Sequence, residues 1–412
     1  MILFKNTRIF DGSGAEPFPG EVLVRDNRII AVSRAGAAAA TSSPEATVVD
    51  GAGATLMPGM TEAHAHLSWP SSVERFVPGM SLPPEDLAAN TARNARILLD
   101  HGFTSAYSGG ALGKTLEITL KAEIDAGRTP GPRLVPASIE REPPNETAFL
   151  AGGDVADHGA GPEAVRAFVK DCAAKGAKVV KFLLSGESAL KPGASMQTLY
   201  SEEEMRAAGE QARESGVWLT GHAHCPAAIK MGVRNGFRVL YHCTYADEEA
   251  IDMLAAHKAQ IFVAPTIGIV QATLDATPPP HVDMTHMKAD AATVLAHQKE
   301  LAPRLKRRGV RLLPGGDYGF PFNPNGRNAR DLELFVLHLG FTPIEALVAA
   351  TARGGEIMGM EHELGRIEPG YLADLLLVHG DPTHDVRVLQ DPQNLLAIMK
   401  DGRFHKAPVI HA

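Results

Sequence analysis

The chain has 412 residues, 44% of them hydrophobic and 21% charged, a composition that fits a globular protein with a large core and excludes a mainly disordered chain. Its formal net charge at pH 7 is −8 and its basic residues are scattered, so neither nucleic acid nor a membrane surface is expected as a partner. With three cysteines, no membrane-spanning run and no apolar run typical of a secretion signal, the chain is expected in the cytoplasm.

Short alternating β-strands are predicted at both ends of the chain. The amino-terminal strands are expected to be antiparallel, at residues 2–9, 20–24, 28–33 and 46–49. The carboxy-terminal stretch has the same character at residues 374–378 and 395–400. The two ends are therefore expected to pair in one small β-sandwich domain, residues 1–56 and 361–412, beside a larger domain, residues 57–360.

The larger domain alternates short β-rich runs with helical periods, eight times over. The predicted strands are residues 56–60, 104–108, 133–137, 178–184, 217–222, 238–242, 260–265 and 311–316. Such alternation calls for parallel strands joined by crossover helices, and eight units predict a (β/α)8 TIM barrel of the α/β class. Two helices begin with clear signals, a capping box at Ser201 and Thr342 followed by Pro343.

Three connections are too long to be plain turns, at residues 136–162, 186–200 and 266–286. Each follows a predicted strand, and the loops that follow the strands of a barrel gather at its catalytic face. These three loops are therefore expected to lie over the active site.

His64 and His66 follow the first predicted barrel strand. Side chains two apart in a strand point to the same face, so both imidazoles can reach one metal ion. The chain has 17 histidines, however, and a bare His-x-His pair also arises by chance alternation. The other strands decide between these two interpretations.

Lys181 lies in the middle of the fourth predicted strand, within the run Val-Val-Lys-Phe-Leu. A charge in a buried strand is costly unless it is paired or bound to a metal. One interpretation is that Lys181 reacts with carbon dioxide to form a carbamate whose two oxygens bridge two metal ions. The other is a lysine that pairs with an Asp or Glu of a neighbouring strand.

Three further ligand-type residues end later strands: His222 the fifth, His242 the sixth and Asp317 the eighth. Catalytic groups of a barrel come from the ends of several strands, so these side chains are expected to converge above the barrel. The full set is His64, His66, carboxylated Lys181, His222, His242 and Asp317. It suits two divalent cations bridged by a hydroxide.

These motifs resemble those of the amidohydrolase superfamily. They are Pro58-Gly59 followed by His64-x-His66, the strand-four lysine, the strand-five and strand-six histidines, the strand-eight aspartate, and the run from Gly370 to Leu376. Within the superfamily the chain is most similar to the branch of Xaa-Pro and Xaa-Lys/Arg dipeptidases and ochratoxin-hydrolysing amidases. The resemblance implies a binuclear metal centre, with zinc as the expected ion.

The resemblance also gives each ligand a role. The histidines of strand one would bind the more buried ion, those of strands five and six the more exposed ion, and Lys181 would bridge the two. Asp317 would contact the buried ion and the hydroxide, and it would carry a proton to the leaving nitrogen. The implied reaction is hydrolysis of an amide C–N bond in a small molecule by a metal-bridging hydroxide.

One departure from the dipeptidase branch concerns the substrate. That branch has His-Ala-Tyr and then an arginine after strand five, which hold a substrate carboxylate, whereas this chain has His222-Ala223-His224-Cys225. Dipeptides are therefore in doubt, and a bulky N-acyl amino acid, aryl amide or ochratoxin-like compound is expected. His224 is either a pocket hydrogen-bond donor or a solvated loop histidine. The other pocket candidates are Trp69, Tyr107, Tyr245, Thr266, Tyr318 and Arg327, and the expected partner of an anionic leaving group is Arg327 or Lys191.

Two other functions stay open. The first is a cyclic-amide hydrolase or a deaminase of the imidazolonepropionase type. Single-metal deaminases of the superfamily typically lack the strand-four lysine, so Lys181 favours two metals and amide hydrolysis. The second is a non-catalytic scaffold, against which the intact ligand set argues. A small-molecule substrate and a homo-oligomer are expected as the partners of the chain.

Overall fold

The computed structural model describes residues 1–36, 46–71, 82–143 and 159–408 of the chain. Within these residues, short strands alternate with helices over most of the length. The strands are β1 Ile2–Ile9, β2 Phe18–Arg25, β3 Arg28–Arg34, β4 Thr47–Asp50, β5 Thr55–Pro58, β6 Met60–Ala65, β7 Phe103–Ser108, β8 Arg133–Val135, β9 Val179–Leu183, β10 Trp218–Ala223, β11 Val239–His242, β12 Phe262–Ala264, β13 Arg311–Leu312, β14 Leu375–Val378, β15 Leu395–Lys400 and β16 Arg403–Lys406. The helices are α1 Pro84–Asp100, α2 Leu116–Asp125, α3 Pro162–Lys175, α4 Glu202–Ser215, α5 Pro226–Arg234, α6 Glu248–Ala256, α7 Ile267–Asp275, α8 Thr285–Arg307, α9 Arg330–His338, α10 Pro343–Ala350 and α11 Ala352–Ile357.

Strands from both ends of the chain form one sheet. Its order is β16-β15-β14-β5-β1-β2-β3, with β4 also paired to β1. Buried apolar side chains of this sheet, among them Phe4, Val22, Leu56, Leu375 and Met399, pack together in a cluster of their own. The two ends are thus paired in one sheet, while the second layer of a sandwich stays a prediction.

The direction of β4, one of the four strands expected to be antiparallel, differs from the prediction. β1, β2 and β3 are antiparallel neighbours, as the alternation predicted, but β4 and β5 both run parallel to β1. Turn signals predict pairing between strands that follow each other in sequence. They do not reveal that β1 pairs with β4 through residues 2–5 and with β5 through residues 8–9.

The first predicted barrel strand, residues 56–60, is divided between two sheets. β5 belongs to the sheet of the chain ends, whereas β6 runs parallel to β7 in the catalytic part. Gly59 separates the two strands, and a Cβ atom on Gly59 would lie 2.1 Å from Thr104 Oγ1, so the chain passes too close to β7 for any larger residue. The catalytic strand therefore starts at Met60 and ends just before His66.

The catalytic part is an α/β arrangement of parallel strands, as predicted. β6-β7-β8 form one parallel sheet and β13-β12-β11-β10-β9 form another. Single parallel bridges lie between the two sheets, one from Ala137 to Val179 and one from Ala65 to Tyr318. The strands are short and nearly all buried, because helices cover their outer faces.

Two of the long connections contain helical turns. The connection at 266–286 holds α7 and the start of α8, because the apolar side chains of Ile267 and Val270 are buried there. The connection at 186–200 contains a short 3₁₀ helix, Ala194–Met196. Of the connection at 136–162, residues 144–158 lie outside the described part of the chain.

The helix starts agree with the sequence. Ser201 and Glu204 form the reciprocal hydrogen bonds of a capping box at the start of α4. Thr342 and Glu345 do the same at α10, with Pro343 in the first turn. Among the described helices, none combines the length and the apolar character needed to cross a bilayer.

Candidate metal centre

A first cluster of ligand-type side chains lies at the carboxyl ends of β6 and β13. His66 Nε2 lies 3.2 Å from His64 Nε2 and 3.0 Å from Asp317 Oδ1, and Asp317 Oδ1 lies 3.7 Å from His64 Nε2. All three side chains are buried, and their ligand atoms lie within 4.8 Å of one another. Asp317 has a φ of 61°, which non-glycine residues rarely adopt outside turns and functional sites. These three residues, called the first triad, can contact a single ion.

A second cluster lies at the carboxyl ends of β10 and β11. The ring centroids of His222 and His242 are 4.3 Å apart, and the rings of His224 and His242 stack at the same 4.3 Å separation. These three histidines, called the second triad, are buried, with ligand atoms within 4.8 Å of one another. The triads are neighbours, because the ring centroids of His64 and His242 are 6.2 Å apart.

Lys181 on β9 lies beside the first triad. Its Nζ donates a hydrogen bond to the Gly109 carbonyl at 2.8 Å and lies 3.5 Å from His64 Nε2. Glu140 Oε2 is 3.9 Å from Nζ, which is beyond hydrogen-bond distance. Lys181 is only 2% exposed, so an ammonium group there is almost fully desolvated. Glu140 is thus the acidic neighbour that the ion-pair interpretation requires. His64 Nε2, at 3.5 Å, is nevertheless closer to Lys181 Nζ than Glu140 is.

Two buried ligand atoms of the triads, His242 Nε2 and Asp317 Oδ1, make no hydrogen bond within the described residues. A buried polar atom without a partner is destabilising, so such an atom points to a group that binds there. Imidazole nitrogen and carboxylate oxygen are both ligands of zinc and of similar divalent metals. The residues of the two triads therefore fit metal ions.

The histidines are held in the neutral form that binds metals. Burial lowers the pKa of His222 to about 3, helped by the neighbouring His224. Burial also lowers the pKa of His64 well below its usual range, with a contribution from the charge of Lys181. The pKa of His242 falls for the same reason, burial first and then the adjacent His222. These rings are therefore unprotonated at neutral pH, as metal coordination requires.

Five of the six triad residues line one cavity of about 130 Å³, namely His66, Asp317, His222, His224 and His242. Much of its wall is apolar and comes from α7, α8 and the loop after β13. These apolar residues include Leu190, Ile269, Val270, Met284, Met287, Val294 and Phe320.

Three acidic residues that the sequence analysis did not single out also line the cavity: Glu140, Glu187 and Asp290. Glu140 and Glu187 lie in long connections that were predicted to cover the site. This position is the feature of the sequence that could have indicated them. Asp290 lies on α8, where nothing in the local sequence separates it from an ordinary surface acid.

Known proteins that are similar to this chain identify its family. The sequence model of the Amidohydrolase family matches residues 55–404, which is most of the chain. The chain belongs to the amidohydrolase family. The resemblance inferred from the motifs is therefore confirmed, and the chain is a hydrolase acting on carbon–nitrogen bonds, in a family where metal dependence is typical.

Individual amidohydrolases match over nearly the whole chain. Ochratoxinase from Aspergillus niger is 27% identical over 98% of this chain and 86% of that protein. Imidazolonepropionase from Symbiobacterium thermophilum is 26% identical over 89% of this chain and 84% of that protein. The crystal structure of a putative prolidase from Bifidobacterium longum is 26% identical, with a TM-score of 0.83, and covers 100% of this chain and 96% of that chain.

Two of the pocket candidates line the cavity of this amidohydrolase, Trp69 and His224. Trp69 Nε1 donates a hydrogen bond to His66 Nδ1 at 2.7 Å. His224 Nδ1 lies 2.9 Å from Thr244 Oγ1, and its Nε2 lies 3.1 Å from Glu187 Oε2. Because His224 is 2% exposed, the interpretation of this residue as a solvated loop histidine is wrong.

Two tyrosines among the candidates lie behind the cavity instead of on it. The ring of Tyr107 is buried and stacks 6.1 Å from the ring of Trp218, the first residue of β10, far from the strand end that bears the second triad. Tyr318 OH donates a hydrogen bond to Asp331 Oδ1 at 2.8 Å. Strand-end position alone did not show which face of the chain these rings occupy.

Three further candidates, Tyr245, Arg327 and Lys191, do not line the cavity. Tyr245 is half-buried, with its ring 4.9 Å from that of His297. Arg327 is exposed and donates a hydrogen bond to the Phe322 carbonyl at 3.3 Å. Lys191 is exposed too. None of these three side chains is among the described residues that line the cavity, so the expected cationic partner for an anionic leaving group is not at the site.

Two buried carboxylates that the sequence analysis missed support the first triad from behind. Glu62 accepts hydrogen bonds from the His64 backbone N at 3.0 Å and from Asn328 Nδ2 at 2.7 Å, while Asp331 accepts from Tyr318. Burial raises the pKa of Glu62 to about 8 and that of Asp331 to about 7. A charged residue in a buried strand was the signal that singled out Lys181, and the same signal applies to Glu62.

Proposed function

We propose that this chain is a binuclear metal-dependent amidohydrolase that cleaves the amide C–N bond of a bulky small molecule. The observation that carries the proposal is the pair of adjacent buried triads, five of whose six residues line one cavity, with a buried lysine beside them. The proposed ligands are His64, His66, carboxylated Lys181, His222, His242 and Asp317, and the proposed ions are zinc.

We propose that residues 57–360, which carry this site, form a closed barrel of eight parallel strands. The single bridges from Ala137 to Val179 and from Ala65 to Tyr318 support closure, because they span both gaps between the two parallel sheets. The chain ends, residues 1–56 and 361–412, would form the accessory domain. The protein would act in the cytoplasm as a homo-oligomer.

The proposed reaction needs an electrophile, a nucleophile and a group that moves a proton. When bound, two divalent ions would polarise the scissile carbonyl and lower the pKa of the water that attacks it. Asp317 Oδ1, buried without a hydrogen bond, would accept a proton from that water and return it to the leaving nitrogen. The apolar side chains of the cavity would exclude bulk water and hold an apolar substrate.

His224 is kept as a pocket residue in this proposal and not as a ligand. Both of its ring nitrogens already have partners, Thr244 and Glu187, whereas His242 Nε2 has none. His224 would orient the substrate and Glu187 beside the second triad.

The proposal is tested with purified protein and an N-(2-naphthoyl) amide. We expect close to two zinc ions per chain by elemental analysis, loss of hydrolysis after chelation, and recovery when two equivalents of zinc are returned. Active protein with one ion or none would contradict the binuclear centre. Metal-loaded protein that cleaves no amide would contradict the reaction.

A cyclic-amide hydrolase or deaminase is the second candidate. It is favoured by the 26% identity with imidazolonepropionase, which extends over most of both chains. Lys181 beside the first triad favours the two-metal amide reaction over removal of an amino group. An ammonia assay distinguishes the candidates, because a deaminase releases ammonia, ring opening releases no fragment, and acyclic amide cleavage releases an amine.

A further inference from the structure

The charge of the cavity wall bears on the substrate. Three carboxylates outside the proposed ligand set line the cavity: Glu140 lies beside Lys181, and two further acidic residues, Glu187 and Asp290, lie in the connection after β9 and on α8. His286 Nε2 lies 2.6 Å from the Ser188 carbonyl, so the first turn of α8 is joined to the connection that contains Glu187. The two acidic residues are therefore placed by elements that contact each other.

Asp290 lies on a helix face that is otherwise apolar. Met287, Ala291 and Val294 line the cavity with it, and these four positions share one side of α8 because their spacing follows the helical turn. Within the described residues, the Asp290 carboxylate makes neither a hydrogen bond nor an ion pair. Asp290 is half-buried, and a carboxylate that borders apolar side chains is stabilised when a cation or a hydrogen-bond donor binds beside it.

The cavity offers little to a negative group. Among the described residues, Lys181 is the one Lys or Arg that lines the cavity, and its Nζ is already engaged with Gly109. The other nitrogen-bearing side chains on the cavity, Trp69 and the histidines, are not fixed cations of the Lys or Arg kind. Away from the proposed metal ions, a substrate carboxylate placed beside Glu187 and Asp290 would therefore meet like charges and no cationic side chain, and like charges placed together in an interface weaken binding strongly.

We infer that the substrate is an apolar amide with a protonated amine, which Glu187 and Asp290 bind, and that a carboxylate in the same place is rejected. This inference rests on the proposed function and narrows it, because it disfavours N-acyl amino acids. The buried, unpartnered His242 Nε2 marks the end of the cavity where the scissile amide lies, and Asp290 marks the wall that receives the amine.

The test uses three 2-naphthoyl amides that differ in one group. Their leaving amines are phenylalanine and two analogues in which hydroxymethyl or aminomethyl replaces the carboxylate. We expect kcat/KM for the aminomethyl compound to be at least tenfold above that of the carboxylate compound, equivalent to about 1.4 kcal/mol. Benzanilides with the same three groups at the 4-position of the acyl ring test the opposite orientation of the substrate.

Two substitutions in α8 test whether Asp290 is responsible for the preference for aminomethyl over carboxylate. Asp290→Asn should reduce the aminomethyl-to-carboxylate ratio at least threefold. Glu300→Gln, a change of an exposed acid on the same helix, should leave the ratio as it is. An undiminished ratio in Asp290→Asn would overturn the inference.

Binding of the corresponding naphthalenesulfonamides, which are not amides of a carboxylic acid, separates charge preference from catalysis. If calorimetry ranks aminomethyl above carboxylate while no amide is cleaved, the charge inference stands and the proposed reaction fails. If amides are cleaved and the carboxylate compound is equal or faster in both orientations, the charge inference fails and the proposed reaction stands. Absence of binding by the aminomethyl sulfonamide would also overturn the charge inference.

Discussion

Thr266 Oγ1 lies 2.6 Å from His242 Nδ1 and donates its own hydroxyl proton to the Pro265 carbonyl at 2.7 Å. The hydroxyl oxygen therefore accepts the Nδ1 proton of His242, and Nε2 of the same ring is left unprotonated. The unprotonated nitrogen of an imidazole is the one that binds a metal, so Thr266 fixes the tautomer that the second triad requires. Thr266 has a φ of 57°, an unfavourable conformation for a β-branched residue, which also indicates a functional position.

Thr266→Val should weaken metal binding at the second triad. Valine has the shape of threonine but no acceptor for the Nδ1 proton, and loss of such an outer partner typically lowers metal affinity by about 10-fold to 100-fold. Zinc affinity, measured by competition with a chelator, checks the prediction. Thr266→Ser keeps the hydroxyl and should bind zinc as the parent does. Equal affinity in all three proteins would show that Thr266 does not set the tautomer.

Lys181→Ala should abolish hydrolysis, and added short carboxylates should partly restore it, because a small acid can take the place of the bridging carbamate. Activity with and without acetate or propionate is the measurement. A carbamate carbon signal after incubation with ¹³C-bicarbonate, absent from the alanine variant, would identify the modification directly. Full activity of the alanine variant would contradict a bridging role.

Glu140→Gln distinguishes the two interpretations of Lys181. If Lys181 serves only as an ion-pair partner of Glu140, at 3.9 Å, removal of either charge should have the same effect. If Lys181 is carboxylated, Glu140→Gln should keep the carbamate signal and both ions. Absence of the carbamate signal from the parent protein, together with equal loss of metal in Glu140→Gln and Lys181→Ala, would favour the ion pair.

Asp317→Asn should retain most of the metal but lose turnover by at least about 100-fold, the lower range for general acid–base catalysis. The amide oxygen can still contact an ion, but the side chain can no longer accept a proton. Metal content and kcat, measured on one preparation, check this prediction. Loss of the metal together with turnover would assign Asp317 to assembly of the site.

The histidine and aspartate ligands could be found in the sequence because they lie at or near the ends of buried strands, and Lys181 because it is a charged residue in the middle of one. His222 and His242, twenty residues apart, meet because β10 and β11 are adjacent parallel strands. The same reasoning failed for Tyr107 and Tyr318, since strand position does not fix which way a side chain points once the strand ends or bulges. It also placed the first catalytic strand too early, because Gly59 lies between two sheets.

The residues that shape the cavity were harder to predict. Asp290 comes more than a hundred residues after Lys181 in the sequence, and it reaches the site only because α8 packs over the strand ends. A single acid in a helix with many charged neighbours has no pattern of its own. Glu187 has a local signal, its position just after β9, but its role depends on contact with His224.

The last prediction concerns the size of the acyl group. The cavity wall from α7 and α8 is apolar, so an aromatic acyl group should bind better than a methyl group, and burial of each additional methylene contributes about 0.8 kcal/mol. We expect kcat/KM for a 2-naphthoyl amide to be at least tenfold above that for the acetyl amide of the same amine, and above that for simple aliphatic dipeptides.

Ala291→Trp, which fills the cavity from α8, should lower kcat/KM for the naphthoyl amide at least tenfold and that for the acetyl amide much less. Ala292→Trp, the exposed neighbour on the same helix, is the matched control and should change neither value. Faster hydrolysis of the acetyl amide or of the dipeptides would show that apolar burial in this cavity does not select the substrate.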